Sequence, residues 1–344
     1  MMLKKKYKLI FVGTPDFSVP TLQALIADER FNVAAVITAP DAKFGRKQIL
    51  TPPPVKVVAQ KNHIPVWQPS KLHGRDVAVQ RLYDEIKNLN PDAIIVIAYG
   101  QIIPPAILNI PKFGCLNLHA SLLPKYRGAS PIQAAVAVGD KITGVTLMKM
   151  DAGLDTGPII AQEKIEIINC HSRESGNLTN DRRDPRLRED DKLDTGESLH
   201  NKLAKLSAKI LIKYLPSYLS GQLQPKSQNE REATFAPKLT RQSGRIDWNK
   251  PAVEIERLVR AYTPWPGTWT KWDGKILKII AVDSKILPIN KHKVGEVFLV
   301  ENQLAVQCGK DAITTKKLQL EGKQLMDSKN FLSGHKRIMG SILR

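Results

Sequence analysis

Asn117-Leu118-His119 places a carboxamide and an imidazole two residues apart. In a strand such side chains point to the same face and stand side by side. Both can donate hydrogen bonds to an oxygen that gains negative charge as a carbonyl turns tetrahedral, which is what acyl transfer requires. Downstream, Met150-Asp151-Ala152-Gly153-Leu154-Asp155-Thr156-Gly157 offers two carboxylates in a glycine-rich turn. Either one, brought to His119, could hold its protonated ring or relay a proton. Taken singly these signals are weak: a strand histidine is more often satisfied structurally, and an Asp-Thr-Gly turn is more often only a turn.

The elements that must position these residues read as an α/β pattern. Leu9–Val12 is a buried strand closed by Gly13-Thr14-Pro15-Asp16, Val19–Ala27 is helical, and Val33–Thr38 is a second strand, the βαβ unit of a parallel sheet. A polar amphipathic helix at 76–89 precedes the strand Ala93–Ala98, and Gly114–His119 follows. The expectation is a Rossmann-like, doubly wound, mostly parallel sheet, with ligands at the strand carboxyl ends. From 168 to 191 almost no apolar residue occurs and both charge signs mix, which reads as a disordered surface insertion. Helical periodicity resumes at Leu199, Leu203, Leu206 and Ile210, and a Pro/Gln/Ser-rich stretch around 222–228 reads as a linker. Short alternating β segments such as Ile276–Val282 and Gly295–Val300 then suggest a small barrel of the OB type. The expected organisation is 1–215, a linker at 216–234, and a barrel at 235–344.

The chain has 344 residues, 42% hydrophobic and 25% charged, with a net charge of +19. Residues 235–344 alone carry 20 Lys and Arg against 10 Asp and Glu. Such a surplus attracts polyanions such as nucleic acid, or an anionic membrane surface, although a merely soluble basic surface reads the same way. Three scattered cysteines, Cys115, Cys170 and Cys308, suggest neither a disulfide framework nor a metal site. No apolar run reaches the length of a membrane span, and the apolar stretch after Lys4-Lys5-Lys6 is too short for a signal-peptide core, so a cytoplasmic protein is expected.

The run Asn117-Leu118-His119-Ala120-Ser121-Leu122-Leu123-Pro124-Lys125-Tyr126-Arg127-Gly128, followed by Gly153-Leu154-Asp155-Thr156-Gly157, resembles the signature of the folate-dependent formyltransferases. The resemblance implies that Asn117 and His119 polarise the formyl carbonyl, with Asp155 assisting through His119 and water, while Asp151 is a structural turn residue. It implies that Ser121, Leu122, Leu123 and Pro124 line the site of the donor, 10-formyltetrahydrofolate, and that no metal is required.

Phe11-Val12-Gly13-Thr14-Pro15-Asp16-Phe17 is similar to the opening of the branch that formylates methionyl-tRNA, and it lacks the G-x-G-x-x-G of a dinucleotide site. Residues 39–48, leading into Thr51-Pro52-Pro53-Pro54, resemble that branch's basic loop for the tRNA acceptor stem. This would make Arg46, flanked by Lys43 and Lys47, a tRNA contact. Gly244–Trp248 and Arg257–Trp269 resemble the branch's carboxyl domain, with Arg257 and Arg260 one helical turn apart on a shared basic face. Trp265 and Trp269 read as core or domain-interface residues. The implied partners are initiator methionyl-tRNA and tetrahydrofolate, with a monomer expected and no membrane association. A formyltransferase for another amine, or a non-catalytic RNA-binding relative, remains the alternative. The resemblance runs from Lys8 to about Ser333; the segment 168–191 has no counterpart in it, and the residues from Gly334 onward receive no role.

Overall fold

The computed structural model describes residues 6–45, 48–169 and 193–344. Its strands are β1 (Tyr7–Gly13), β2 (Phe31–Ile37), β3 (Ala42–Phe44), β4 (Ile49–Thr51), β5 (Val66–Trp67), β6 (Ala93–Ile97), β7 (Cys115–His119), β8 (Ile142–Lys149), β9 (Ile159–Glu166), β10 (Thr268–Trp272), β11 (Lys275–Val282), β12 (Val297–Val300), β13 (Gln303–Gln307), β14 (Ala312–Leu320) and β15 (Met326–Asp327). The helices are α1 (Val19–Ala27), α2 (Pro54–Lys61), α3 (Val77–Leu89), α4 (Pro105–Leu108), α5 (Pro131–Val138), α6 (Gly196–Leu219), α7 (Ala252–Ala261) and α8 (Ser328–Gly334). Two compact units form. One gathers residues 1–128, 143–165 and 200–235, and the other 129–142, 166–199 and 236–344.

The first unit is built on a seven-stranded sheet of order β5-β2-β1-β6-β7-β8-β9. From β5 to β7 all neighbours run parallel, and β8 joins antiparallel to β7. β6 consists wholly of buried aliphatic residues, and β1 is buried from Leu9 to Gly13, because helices cover both faces of such a sheet. Chain order reverses between β1 and β6, so a crevice opens where connections leave in opposite directions. β7, one strand further, carries Asn117 and His119 toward its carboxyl end.

The second unit holds an antiparallel sheet of order β10-β11-β14-β13-β12, with β15 on β14. Its apolar core includes Trp248, Ile255, Val259, Leu277, Ile313, Phe331 and Leu343. α5 packs here against α7 and so separates from its chain neighbours in the first unit. The division is therefore interleaved along the chain, unlike the linear order expected from composition. α6 also runs through position 216 without a break, so residues 216–219 are helix rather than linker.

The last residues, to which the sequence assigns no role, close this sheet. Lys271 on β10 exchanges two backbone hydrogen bonds with Arg344 (2.6 and 3.0 Å), while Leu343 N donates to Gly295 O (2.9 Å) and Val297 N at the start of β12 donates to Ser341 O (3.0 Å). The terminal segment thus satisfies backbone groups along both free edges, which would otherwise template association. Trp248 is the fully buried tryptophan, its Nε1 donating to Thr270 Oγ1 at 3.0 Å. Of the two tryptophans expected in the core or at a domain interface, Trp269 on β10 is half-buried, whereas Trp265, in the turn after α7, is 51% exposed.

Residues 170–191 of the sequence-divergent stretch lie outside the described residues, as does Cys170. The positions flanking them are tied together: Ile168 N donates to Asp194 Oδ2 and Asp194 N to Ile168 O, both at 2.9 Å, and Asn169 Nδ2 donates to Asp140 O at 2.7 Å. Asn169 is buried and belongs to the framework rather than to the divergent stretch. Cys115 and Cys308 are free and buried, and burial pushes each thiol up to about 12. They act as small packing residues.

Leu343→Ala should cost about 3 kcal/mol, because its side chain is 3% exposed in the core, whereas Ile342→Ala, at 38% exposure, should cost under about 1 kcal/mol. Denaturant midpoints followed by tryptophan fluorescence separate the two, and equal midpoints would deny the closing role. Deleting residues 170–191 should leave both folding and turnover intact, since the flanking residues already pair. A variant that is insoluble or inactive would show that the segment contributes to the fold.

Candidate active site

β7 enters the site between β6 and β8, with Asn117 opposite Val96 on one side and Met148 on the other. Strand alternation sends Asn117 and His119 to one face, where both meet the carboxylate of Asp155. Asn117 Nδ2 stands 3.4 Å from Asp155 Oδ1, and His119 Nδ1 stands 3.6 Å from Asp155 Oδ2. Gly128 N donates to the same Oδ2 at 2.8 Å. The Asn117 contact is a long hydrogen bond, and the His119 contact lies beyond hydrogen-bond range.

The second nitrogen of the imidazole sets its tautomer. His119 Nε2 lies 2.8 Å from the Tyr126 carbonyl oxygen, which can only accept, so Nε2 carries the hydrogen. Nδ1 is left facing the Asp155 carboxylate. The ring is buried and the carboxylate nearly so, which strengthens their interaction over one in water.

The two carboxylates of the turn have separate duties. Asp151 Oδ1 accepts from Gly153 N (3.0 Å) and Thr156 Oγ1 (2.6 Å), and so caps the turn. Asp155 projects to His119. Its backbone is left-handed, with φ +54°, a conformation that costs a non-glycine residue about 1 kcal/mol or more. Gly157 allows the turn to close, since a Cβ there would sit 1.8 Å from Lys149 O.

The segment after β7 is braced by internal bonds. Ser121 is buried and donates Oγ–H to Lys125 O (2.5 Å), while Leu123 N donates to Thr146 Oγ1 (3.0 Å) and Leu123 O accepts from Gln162 Nε2 (2.8 Å). Of the four residues expected to line a donor site, Ser121 and Leu123 are buried, and the half-buried Leu122 and Pro124 reach the surface.

A further group surrounds the turn: Arg127, from the motif after β7, with Gln228, Glu230 and Thr234, which carry no signal in the local sequence. The Arg127 side chain is 2% exposed. Its NH1 and NH2 donate to the two Glu230 oxygens at 2.8 and 2.7 Å, and its Nε and NH2 donate to Gln228 Oε1 at 3.1 and 2.8 Å. Gln228 Nε2 donates in turn to the carbonyls of Asp155 (2.8 Å) and Gly157 (2.7 Å). Each such bond contributes about 1 kcal/mol, comparable with the cost of the left-handed turn. The hydrogen bond to Glu230 also holds the Arg127 guanidinium above its usual pKa and the Glu230 carboxyl below its own. The stretch expected to be a linker thus supplies a layer behind the site. Thr234 belongs to it, its Oγ1 accepting from Tyr126 N at 2.8 Å.

The expected polyanion contacts fare unevenly. Arg46 and Lys47 lie outside the described residues. Lys43 is exposed on the β3–β4 hairpin. Arg257 is half-buried and donates to Val138 O at 3.2 Å. Arg260 does not share a basic face with it: the Arg260 guanidinium is buried and taken up by Glu256 (2.5 and 3.1 Å), Asp194 O (2.7 Å) and Asn169 Oδ1 (3.3 Å). A charge placed there without such partners would be costly, so this arginine serves the fold. Among the described residues no group of three or more His, Cys, Asp and Glu could hold a metal ion, and no helix is long and apolar enough to cross a membrane.

Residues 5–186 match the family described as formyl transferase, and residues 238–336 match the formyl transferase C-terminal domain. The methionyl-tRNA formyltransferase of Caldanaerobacter subterraneus is 39% identical over 337 residues, covering 98% of this chain and all of that protein. The methionyl-tRNA formyltransferase of Halalkalibacterium halodurans is 42% identical over 339 residues, covering 98% of each. Among solved structures, an N-formyltransferase from Helicobacter canadensis, in complex with folinic acid and dTDP-3-aminofucose, superposes with a TM-score of 0.61 at 18% identity. It covers 90% of this chain and 99% of its own, a likeness of fold. With both family models matched and relatives of 39% and 42% identity covered over nearly their full length, the chain belongs to the methionyl-tRNA formyltransferase family.

Proposed function

We propose that the chain transfers the formyl group of 10-formyltetrahydrofolate to the α-amino group of methionyl-initiator tRNA, in the cytoplasm and as a monomer. The observation that carries this reading is the single carboxylate of Asp155 standing against both Asn117 and His119 at the carboxyl end of β7. The amine nitrogen attacks the formyl carbon and the carbonyl pair moves onto oxygen. Asn117 Nδ2, which keeps a second hydrogen beyond the one facing Asp155, stabilises that charge as a preorganised donor, and the imidazole joins it once Nδ1 has taken up a proton. The proton lost by the amine passes through water to His119, beside Asp155. Collapse restores the carbonyl and breaks the bond to N10 of the folate, which takes a proton and leaves as tetrahydrofolate. Leu122 and Pro124, with the buried Ser121 and Leu123 shaping the segment behind them, line the folate side.

Recognition of tRNA rests on charge. The net charge of +19 is matched to a polyanion, with Lys43, Arg46 and Lys47 at one contact and Arg257 at another. Arg260 is left out because its guanidinium is already occupied.

Labelled formyl supplied on 10-formyltetrahydrofolate should appear on methionyl-initiator tRNA and not on free methionine or glycinamide ribonucleotide; label on the small amine would move the acceptor to another class. His119→Ala and Asn117→Ala should each lower kcat on the order of 100-fold or more with little change in melting temperature. Retained turnover would remove these residues from the mechanism. Lys43→Ala should reduce by about one the slope of log affinity for tRNA against log salt, and an unchanged slope would place the phosphate contacts elsewhere.

A further inference from the structure

We propose that Arg127 and Gln228 are positioning residues for the reaction: the buried guanidinium orients the Gln228 amide, and that amide holds the backbone of the turn from which Asp155 projects. The inference rests on the reading above for what Asp155 does once it is placed.

The chemistry of the groups leaves one arrangement. A guanidinium has only donors, so the part of Gln228 that meets Arg127 Nε and NH2 must be its oxygen. The carbonyls of Asp155 and Gly157 only accept, so the part that meets them must be the amide nitrogen. Both ends of the amide are fixed by partners that could not bond to it if it were flipped. The guanidinium is itself held by the two-pronged Glu230 contact, with the carboxylate 68% exposed and the guanidinium 2% exposed. Rigidity thus passes inward from an ion pair at the surface, through one amide, to a left-handed residue whose side chain must stay between Asn117 and His119. Neither Arg127 nor Gln228 contacts the reacting groups directly. Their effect is on where the Asp155 oxygens lie, and displacements below an ångström at such a group weaken turnover.

The amide of Gly128 reads that position independently of activity, because it donates to Asp155 Oδ2. Gln228→Met keeps the length of the side chain and removes both donors. We expect it to lower kcat by about 10-fold to 100-fold, to leave KM for tRNA and folate within about twofold, and to shift melting by only a few degrees. We also expect the Gly128 amide proton resonance to move toward its position in Asp155→Ala. Glu230→Gln, which weakens only the outer ion pair, should give a smaller change in the same direction. Wild-type kcat in Gln228→Met, an unmoved Gly128 resonance, or a loss of rate that merely follows the unfolded fraction would each overturn the proposal. If Gln228→Met does not fold, Gln228→Glu, which keeps the acceptor toward Arg127 and loses both donors, is read by the same measures. Should the wild-type chain transfer no formyl to methionyl-tRNA, the functional reading fails, and the Gly128 resonance alone decides this one.

Discussion

The arrangement of the first unit turns on the Asp155 carboxylate, which accepts a backbone N–H at 2.8 Å and a longer bond from Asn117 at 3.4 Å, with the His119 ring at 3.6 Å. A carboxylate so placed must be immobile to be useful, yet its residue occupies a left-handed conformation that an isolated turn would leave. The structure meets that demand with neighbours that each have one possible role. Asp151 caps the turn, Gly157 makes room for the Lys149 carbonyl, and Gln228 ties down the carbonyls of Asp155 and Gly157. The sheet fixes the other partners, because Asn117 and His119 lie on a strand bounded by β6 and β8 and cannot slip register without turning both side chains to the opposite face.

A different solution operates in the second unit. There a basic surplus coexists with a closed apolar core, and the two arginines of α7 differ in their surroundings. Arg257 remains half-buried at the surface of α7, while Arg260, one turn on, is buried against Glu256 and two groups of the segments around Asn169 and Asp194. The i and i+3 spacing places two arginines near one another on a helix but does not say which of them faces water. The sheet has free edges at β10 and β12, and the terminal residues 341–344 supply the backbone partners that both edges lack.

The divergent stretch follows the same economy. Ile168 and Asp194 exchange backbone and side-chain hydrogen bonds, so the framework is continuous at that point whatever lies between them.

Much of this was legible in the residues alone. Buried strands such as Ala93–Ile97, the same-face pair Asn117 and His119, and the preference for Asp155 over Asp151 follow from period-two alternation and from a resemblance carried by a long motif, and the sheet reproduces the alternation. Local sequence could not assign Gln228, Thr234 or Glu230, because they sit about a hundred residues from their partners Tyr126 and Arg127 in a polar stretch indistinguishable from a linker. Nor could it separate Arg257 from Arg260, Trp248 from Trp265, or the terminal residues from a loose tail. The sequence by itself determined which groups could do the chemistry and the strand that pairs two of them, since those depend on residue type and local period. Tertiary structure alone decided which charges are buried, which polar stretch braces the site and what closes the second sheet, because those depend on hydrogen-bond partners that only folding brings within 3 Å.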